Sequence, residues 1–389
     1  MSIPSALGPY AVEDQIGVGG MAQVLSGRHR YLDRLVALKM RLRTSDEQEG
    51  LMADRFRLGA FMQARLEHPN IARVFDYLES PEHQVIVMEF LGGGSIEDHL
   101  TRQQGALPVG DCVRIAIKAA EALQYAHEQG VVHRDIKPGN LMLLDDEDAE
   151  TLRVTDFGVA KRVGHNHNLT LVGANVGTLW YMPPEQFNSE APTPAVDVYG
   201  LGATLYEMLT GHIPFRAAEH AELFRRFLDG EPPPSIQGRS PDVPDDLVAV
   251  VLWAIELEAA NRLPSAQAFA GLLLAVAARL DLLPRAHPAI ADARARMKTA
   301  ADAAEQIQGV AREELFQGLE RVGHWLGMVP SITHESPRVD AEEDDMGALT
   351  LPPSAFAHLE EALSVQDTAP PYDDDEDRTV IMDFHLDED

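Results

Sequence analysis

His133-Arg134-Asp135-Ile136-Lys137-Pro138-Gly139-Asn140 is followed, 16 residues after Asn140, by Asp156-Phe157-Gly158. These two strings carry the residue types that phosphoryl transfer needs. A carboxylate such as Asp135 can take the proton of an attacking hydroxyl. An Asn and a second Asp can hold a divalent cation through oxygen. Two further segments supply what a polyphosphate requires. Gly17-Val18-Gly19-Gly20-Met21-Ala22-Gln23-Val24 lies between apolar runs, as a hairpin turn would. Its glycines let backbone approach phosphates with no Cβ in the way. Val36-Ala37-Leu38-Lys39 follows at strand spacing and brings one cation. Each segment alone reads equally well as a polar turn or a solvated strand lysine; their combination and order carry the inference.

With those residues in place, the chain resembles the bacterial, eukaryotic-like (Hanks-type) Ser/Thr protein kinases over about residues 10 to 275. Val87-Met88-Glu89-Phe90 looks like the gatekeeper and hinge, with Met88 as gatekeeper. Gly177-Thr178-Leu179-Trp180-Tyr181-Met182-Pro183-Pro184-Glu185-Gln186 looks like the substrate platform and the Ala-Pro-Glu box, with Pro183 in place of Ala. Asp197-Val198-Tyr199-Gly200-Leu201-Gly202 looks like the start of the buried C-lobe helix, and Arg262 like the cation that pairs with Glu185.

The resemblance implies an α+β bilobal kinase fold. A small antiparallel-sheet N-lobe would span about 10–90 and a mainly helical C-lobe about 91–280. It implies ATP with Mg²⁺ or Mn²⁺, and protein Ser or Thr as acceptor, with Lys137 marking Ser/Thr rather than Tyr. The catalytic residues it implies are Asp135, Lys137 and Lys39. ATP would be bound by Ile16, Gly17, Val18, Gly19, Gly20, Val24, Ala37, Lys39, Met88, Glu89 and Met142. Asn140 and Asp156 would hold the metal. Thr170, Thr178 and Thr379 are candidate phosphosites, and Arg134 beside Asp135 suggests control by activation-loop phosphate. His165 and His167 read as loop residues, for want of a third ligand at suitable spacing.

One departure stands out. The resemblance puts Gly59 where the family has the helix carboxylate that pairs with the strand lysine. Gln63, one turn later on the same face, is then expected as a neutral partner for Lys39. A second reading, a nucleotide-binding pseudokinase, follows from Gly59 alone. A third makes the acidic tail the functional part and the kinase domain its regulator. Ala22 stands at the third lid glycine and is small enough to be harmless.

The rest of the chain bounds these readings. Its 389 residues, 45% of them hydrophobic, are enough for a two-lobed core and an extension. Its one cysteine, Cys112, excludes an intrachain disulfide, reads as a small core residue and suits a reducing compartment. No secretory leader or membrane-length apolar run is visible, so a cytoplasmic location is expected. Phe269 to Leu283 reads as an amphipathic last kinase helix.

Residues 286–328 read as a helical extension. Ile307, Val310, Leu315, Leu319, Val322 and Leu326 recur near helical spacing. Packing back on the C-lobe is the expected role, with dimerisation or docking as the alternative. Residues 331–389 hold 18 Asp or Glu against two Arg, a net −16 of the chain's −30. Such sequence is expected to be disordered. Its acidity argues against nucleic acid or anionic membranes as partners. Within it, Thr379 sits between Asp373-Asp374-Asp375-Glu376-Asp377 and Val380-Ile381-Met382. The segment reads equally as a solubilising tail and as the ligand of a phosphothreonine-reading module of the forkhead-associated kind.

Overall fold

The computed structural model describes residues 3–19, 22–42, 49–145, 149–157, 179–187, 192–217, 220–280 and 282. Gly20, Gly158, His165, His167, Thr170, Thr178, Thr379, the 286–328 stretch and the acidic tail lie outside them.

The N-terminal part is a sheet of six strands in the order β1-β2-β3-β4-β6-β5. They run β1 Ala6–Leu7, β2 Tyr10–Val18, β3 Ala22–His29, β4 Leu35–Arg41, β5 Val74–Glu79 and β6 Gln84–Glu89, each antiparallel to its neighbour. Period-two alternation divides its residues between two faces. On one face Leu25, Val36, Leu38, Met40, Val85 and Val87 bury into a small core. On the other, the register pairs Gly17 with Val24, Val24 with Lys39, Ala37 with Met88, and Lys39 with Ile86. A one-residue slip would send this whole row into the core. The row needs that register, so the apolar face fixes the polar one.

Helix α1, Glu49–Ala64, falls between β4 and β5. The chain then turns helical, with α2 Ile96–Gln103 and α3 Val109–Glu128. Ser95 and Asp98 form a reciprocal capping box that starts α2. A two-stranded hairpin, β7 Leu141–Leu143 with β8 Leu152–Val154, follows. Beyond it lie α4 Pro184–Phe187, α5 Ala195–Thr210, α6 His220–Leu228, α7 Ile236–Arg239, α8 Asp245–Ala254 and α9 Ala266–Arg279.

Helices α3, α5, α8 and α9 bury most of their residues in one large core, with Cys112 inside it. Burial pushes the Cys112 thiol far up, so it is inert. Helix α9 is buried on all sides from Ala268 to Ala278 rather than amphipathic. Its alanines and Leu272, Leu273 and Leu274 leave no polar stripe, and Arg279 at its end bonds Asp246 of α8 through both guanidinium arms. Among the described residues no helix is long and apolar enough to cross a membrane.

Candidate active site

The site is assembled by the β7–β8 hairpin. A turn of 3₁₀ helix, Pro138–Asn140, leads into β7, and Asp156 lies two residues past β8. Leu141 pairs with Val154 in the ladder, and the Thr155 N–H donates to the Asn140 carbonyl at 2.9 Å. Two segments sixteen residues apart are thereby held side by side. Asn140 Nδ2 donates to the Asp135 carbonyl at 2.7 Å and to its Oδ2 at 3.2 Å. Lys137 Nζ is 3.3 Å from the same Oδ2. Lys39 Nζ, projecting from β4, is 2.6 Å from Asp156 Oδ2.

A buried frame holds these groups. Asp197, in the first turn of α5, accepts the backbone N–H of His133 at 2.8 Å and of Arg134 at 2.7 Å. His127 Nε2 lies 2.8 Å from the same carboxylate. A buried carboxylate is tolerated only when so bonded. His133 accepts the Asp135 N–H on Nδ1 and donates from Nε2 to the Thr155 carbonyl, which fixes its tautomer. Its ring packs 4.7 Å from that of Phe157. Gly200 of α5 faces the Ile136 carbonyl, where a Cβ would sit 3.0 Å from the oxygen. Its missing side chain lets the loop close on the helix.

Arg134 and Asp156 both have left-handed backbone, at φ +69° and +61°. Such a conformation costs on the order of 1–3 kcal/mol in a residue other than glycine, and it persists only where the surroundings fix it. At Arg134 the N–H is on Asp197 and the carbonyl accepts from Gln186 at 3.3 Å. At Asp156 the turn accompanies the carboxylate's contact with Lys39.

Beside these polar groups lies an apolar patch. Ala37, Ala72, Met88 and Leu91 are buried together, with Val24, Met142 and Leu144 packed against them. Four of the seven were expected from the sequence. Ala72, Leu91 and Leu144 were not, because they have no distinctive chemistry; the step past the hinge at Leu91 was the one available clue. Gly17 and Gly19 lie in the β2–β3 hairpin, where the Gly19 N–H donates to the Ala22 carbonyl. Ile16 and Val18 are 49% and 67% exposed on that hairpin. The register advances two residues on β2 and one on β3 between Gln15 and Gly17, so Ile16 sits in a bulge. The Glu89 carboxylate is held by Arg153 at 3.3 Å.

Gln63 is not a partner of Lys39. Its amide donates instead to the Ala72 carbonyl at 2.9 Å, inside the molecule. Glu185 and Arg262 form a two-armed pair at 2.7 and 3.1 Å, as expected, with Arg262 also lying over the Tyr199 ring. Nearby, Tyr181 donates its hydroxyl to Glu207. Burial, reinforced by Glu207, raises the Tyr181 phenol far up. Burial also raises the Glu207 carboxyl, which the Tyr181 bond partly opposes.

The oxygen donors suit a hard cation. Asn140 turns its amide nitrogen onto Asp135, so its side-chain oxygen is not used in that contact. Among the described residues no group of three or more His, Cys, Asp or Glu side chains converges as a metal cage.

Comparison with known proteins agrees with this geometry. The family described as "Protein kinase domain" matches residues 10–270. The chain is 36% identical over 254 residues to the probable serine/threonine-protein kinase PknB of Lactococcus lactis, covering 65% of this chain and 39% of that one. It is 34% identical over 261 residues to the serine/threonine-protein kinase PknB of Mycobacterium leprae, covering 66% and 41%. The chain thus spans about two fifths of the length of these curated relatives. Among solved structures, the PknI kinase domain of Mycobacterium tuberculosis superposes with a TM-score of 0.55 at 25% identity, covering 70% of this chain and 98% of that one.

Proposed function

The chain belongs to the protein kinase family, and on that premise we propose that it transfers the γ-phosphate of ATP to Ser or Thr hydroxyls of proteins, its own included. The observation that supports this best is the meeting of Lys39 with Asp156 and of Lys137 and Asn140 with Asp135, on segments joined by the β7–β8 ladder.

In this reading the patch from Val24 to Leu144 takes the adenine ring. Lys39 holds the α- and β-phosphates. Asp135 orients the acceptor hydroxyl and takes its proton as the oxygen bonds to the γ-phosphorus. The bond from that phosphorus to the β-phosphate oxygen breaks, and ADP leaves. Lys137, against Asp135, offsets charge on the moving phosphoryl group. Asp156 and Asn140 would hold Mg²⁺ or Mn²⁺, which would neutralise charge on the phosphates. Thr170 and Thr178 are the proposed activation-segment phosphosites.

The pseudokinase alternative rested on Gly59. The curated relatives, named as serine/threonine-protein kinases, favour the active reading over it. The deciding experiment incubates the purified chain with labelled ATP and Mg²⁺ and maps phosphosites by mass spectrometry. Label on Ser or Thr is expected. Nucleotide binding with no label would favour the pseudokinase.

A further inference from the structure

Gln63 lies one turn beyond Gly59 on the same face of α1 and is 6% exposed. An amide so deep requires a partner. The partner is the carbonyl of Ala72, which is itself fully buried. Ala72 and its neighbours are also tied to β8. Its N–H donates to the Val154 carbonyl at 3.0 Å, and the Val154 N–H donates to Asn70 at 2.8 Å. Asn70 also bonds the Leu152 carbonyl through Nδ2, and Ile71 bridges to Val154. The segment 70–72 is therefore laced along β8, which ends two residues before Asp156. Ala72 also belongs to the apolar patch with Ala37 and Met88.

One residue thus joins three things: α1 through its carbonyl, the Asp156 strand through its amide, and the patch through its side chain. A shift of α1 away from the sheet would break the Gln63 bond and strand a buried amide and a buried carbonyl together. Such losses are costly because neither group regains water.

We propose that Gln63 is a positioning residue that sets α1 against the Asp156 strand through Ala72, doing by a side-chain-to-backbone bond what a carboxylate at residue 59 would do through Lys39. The inference rests on the kinase reading for its rate effects, though not for the bond itself.

Gln63→Met keeps length and volume and removes the donor. Autophosphorylation kcat is expected to fall about tenfold while KM for ATP moves by less than about threefold. Hydrogen exchange over residues 49–64 is expected to quicken. In the Gln63→Met background, Gly59→Glu should restore most of kcat by giving Lys39 a helix partner; in the wild-type background it should change kcat little. Wild-type kcat and exchange in Gln63→Met overturn the proposal. So does a loss that Gly59→Glu fails to restore, since that would make Gln63 mere packing. Gln63→Leu replaces Gln63→Met should the latter not fold. If the wild type transfers no phosphate, the kinase reading fails, and exchange over 49–64 alone then decides the tether.

Discussion

Asn140, Lys137 and His133 are among the neighbours that hold Asp135. Asp135→Asn keeps this shape and removes the proton acceptor. Phosphoryl transfer should fall by about 10²–10⁴-fold with ATP affinity unchanged, measured by label incorporation and nucleotide titration. Wild-type transfer would exclude Asp135 as the base. A second residue-scale expectation concerns Glu207, whose carboxyl burial raises. The folded state holds its proton above the pH at which the unfolded chain releases it. Stability therefore falls as pH climbs from the ordinary carboxylate range towards the folded value. Glu207→Gln cannot ionise and still accepts from Tyr181. It should melt higher than wild type at pH 7, and the gap should close below about pH 4. An equal gap at both values would point to packing instead. Residues of this kind differ in how far sequence discloses them. Asp135, Asn140 and Asp156 were legible because loop chemistry demands their types at fixed spacing. The hold of Asp197 on two backbone amides more than 60 residues away was not, because nothing local to Asp197 announces it.

At the scale of elements, close approach decides more than propensity. Gly202 of α5 faces α8, where a Cβ would lie 2.7 Å from the Ala254 Cβ and 2.8 Å from Ile255 Cγ2. Neither neighbour is a flexible chain end that could swing away. Gly202→Ala should gain about 1 kcal/mol in helix propensity and lose more, about 1–3 kcal/mol, to overpacking. Gly50 in α1 meets nothing within 4 Å, so Gly50→Ala should stabilise by up to about 1 kcal/mol. Thermal melts of the two variants should move in opposite directions; a rise in both would mean that α5 and α8 yield easily. The strand at Val36-Ala37-Leu38-Lys39 was readable from its spacing after the glycine-rich turn. Helix α9 was misjudged because Arg279 and Asp281 suggested a wet face. Its small residues instead allow close packing against α3, and the charge sits at the end, where Asp246 receives it.

At the scale of the whole chain, the net charge of −30 is concentrated towards the C-terminus. Thr379 is the only Ser or Thr in the last 20 residues. Phosphate there would add about −1.5 to −2 charge beside Val380, Ile381 and Met382. A forkhead-associated domain should capture the phosphorylated tail peptide at least about tenfold more tightly than the unmodified one, as charge-assisted bonds to phosphate imply. Equal capture would leave the tail a solubilising segment. The bilobal plan was legible through the resemblance to the kinase family, whose motifs run from Gly17 to Arg262. The Gln63 bond was not, since a buried glutamine gives no sign of which carbonyl it will meet.

The 2.6 Å contact between Lys39 and Asp156 sets an order of arrival. While that ammonium sits on the carboxylate, a free dication must compete with a charge already in place. On the proposed kinase reading, nucleotide phosphates would draw Lys39 towards themselves and free the carboxylate for a metal. The two ligands are then cooperative, and by reciprocity each tightens the other to the same degree. Calorimetric titration of Mg²⁺ should show weak binding to the bare chain and much tighter binding beside a non-hydrolysable ATP analogue, and Lys39→Met should abolish most of that difference.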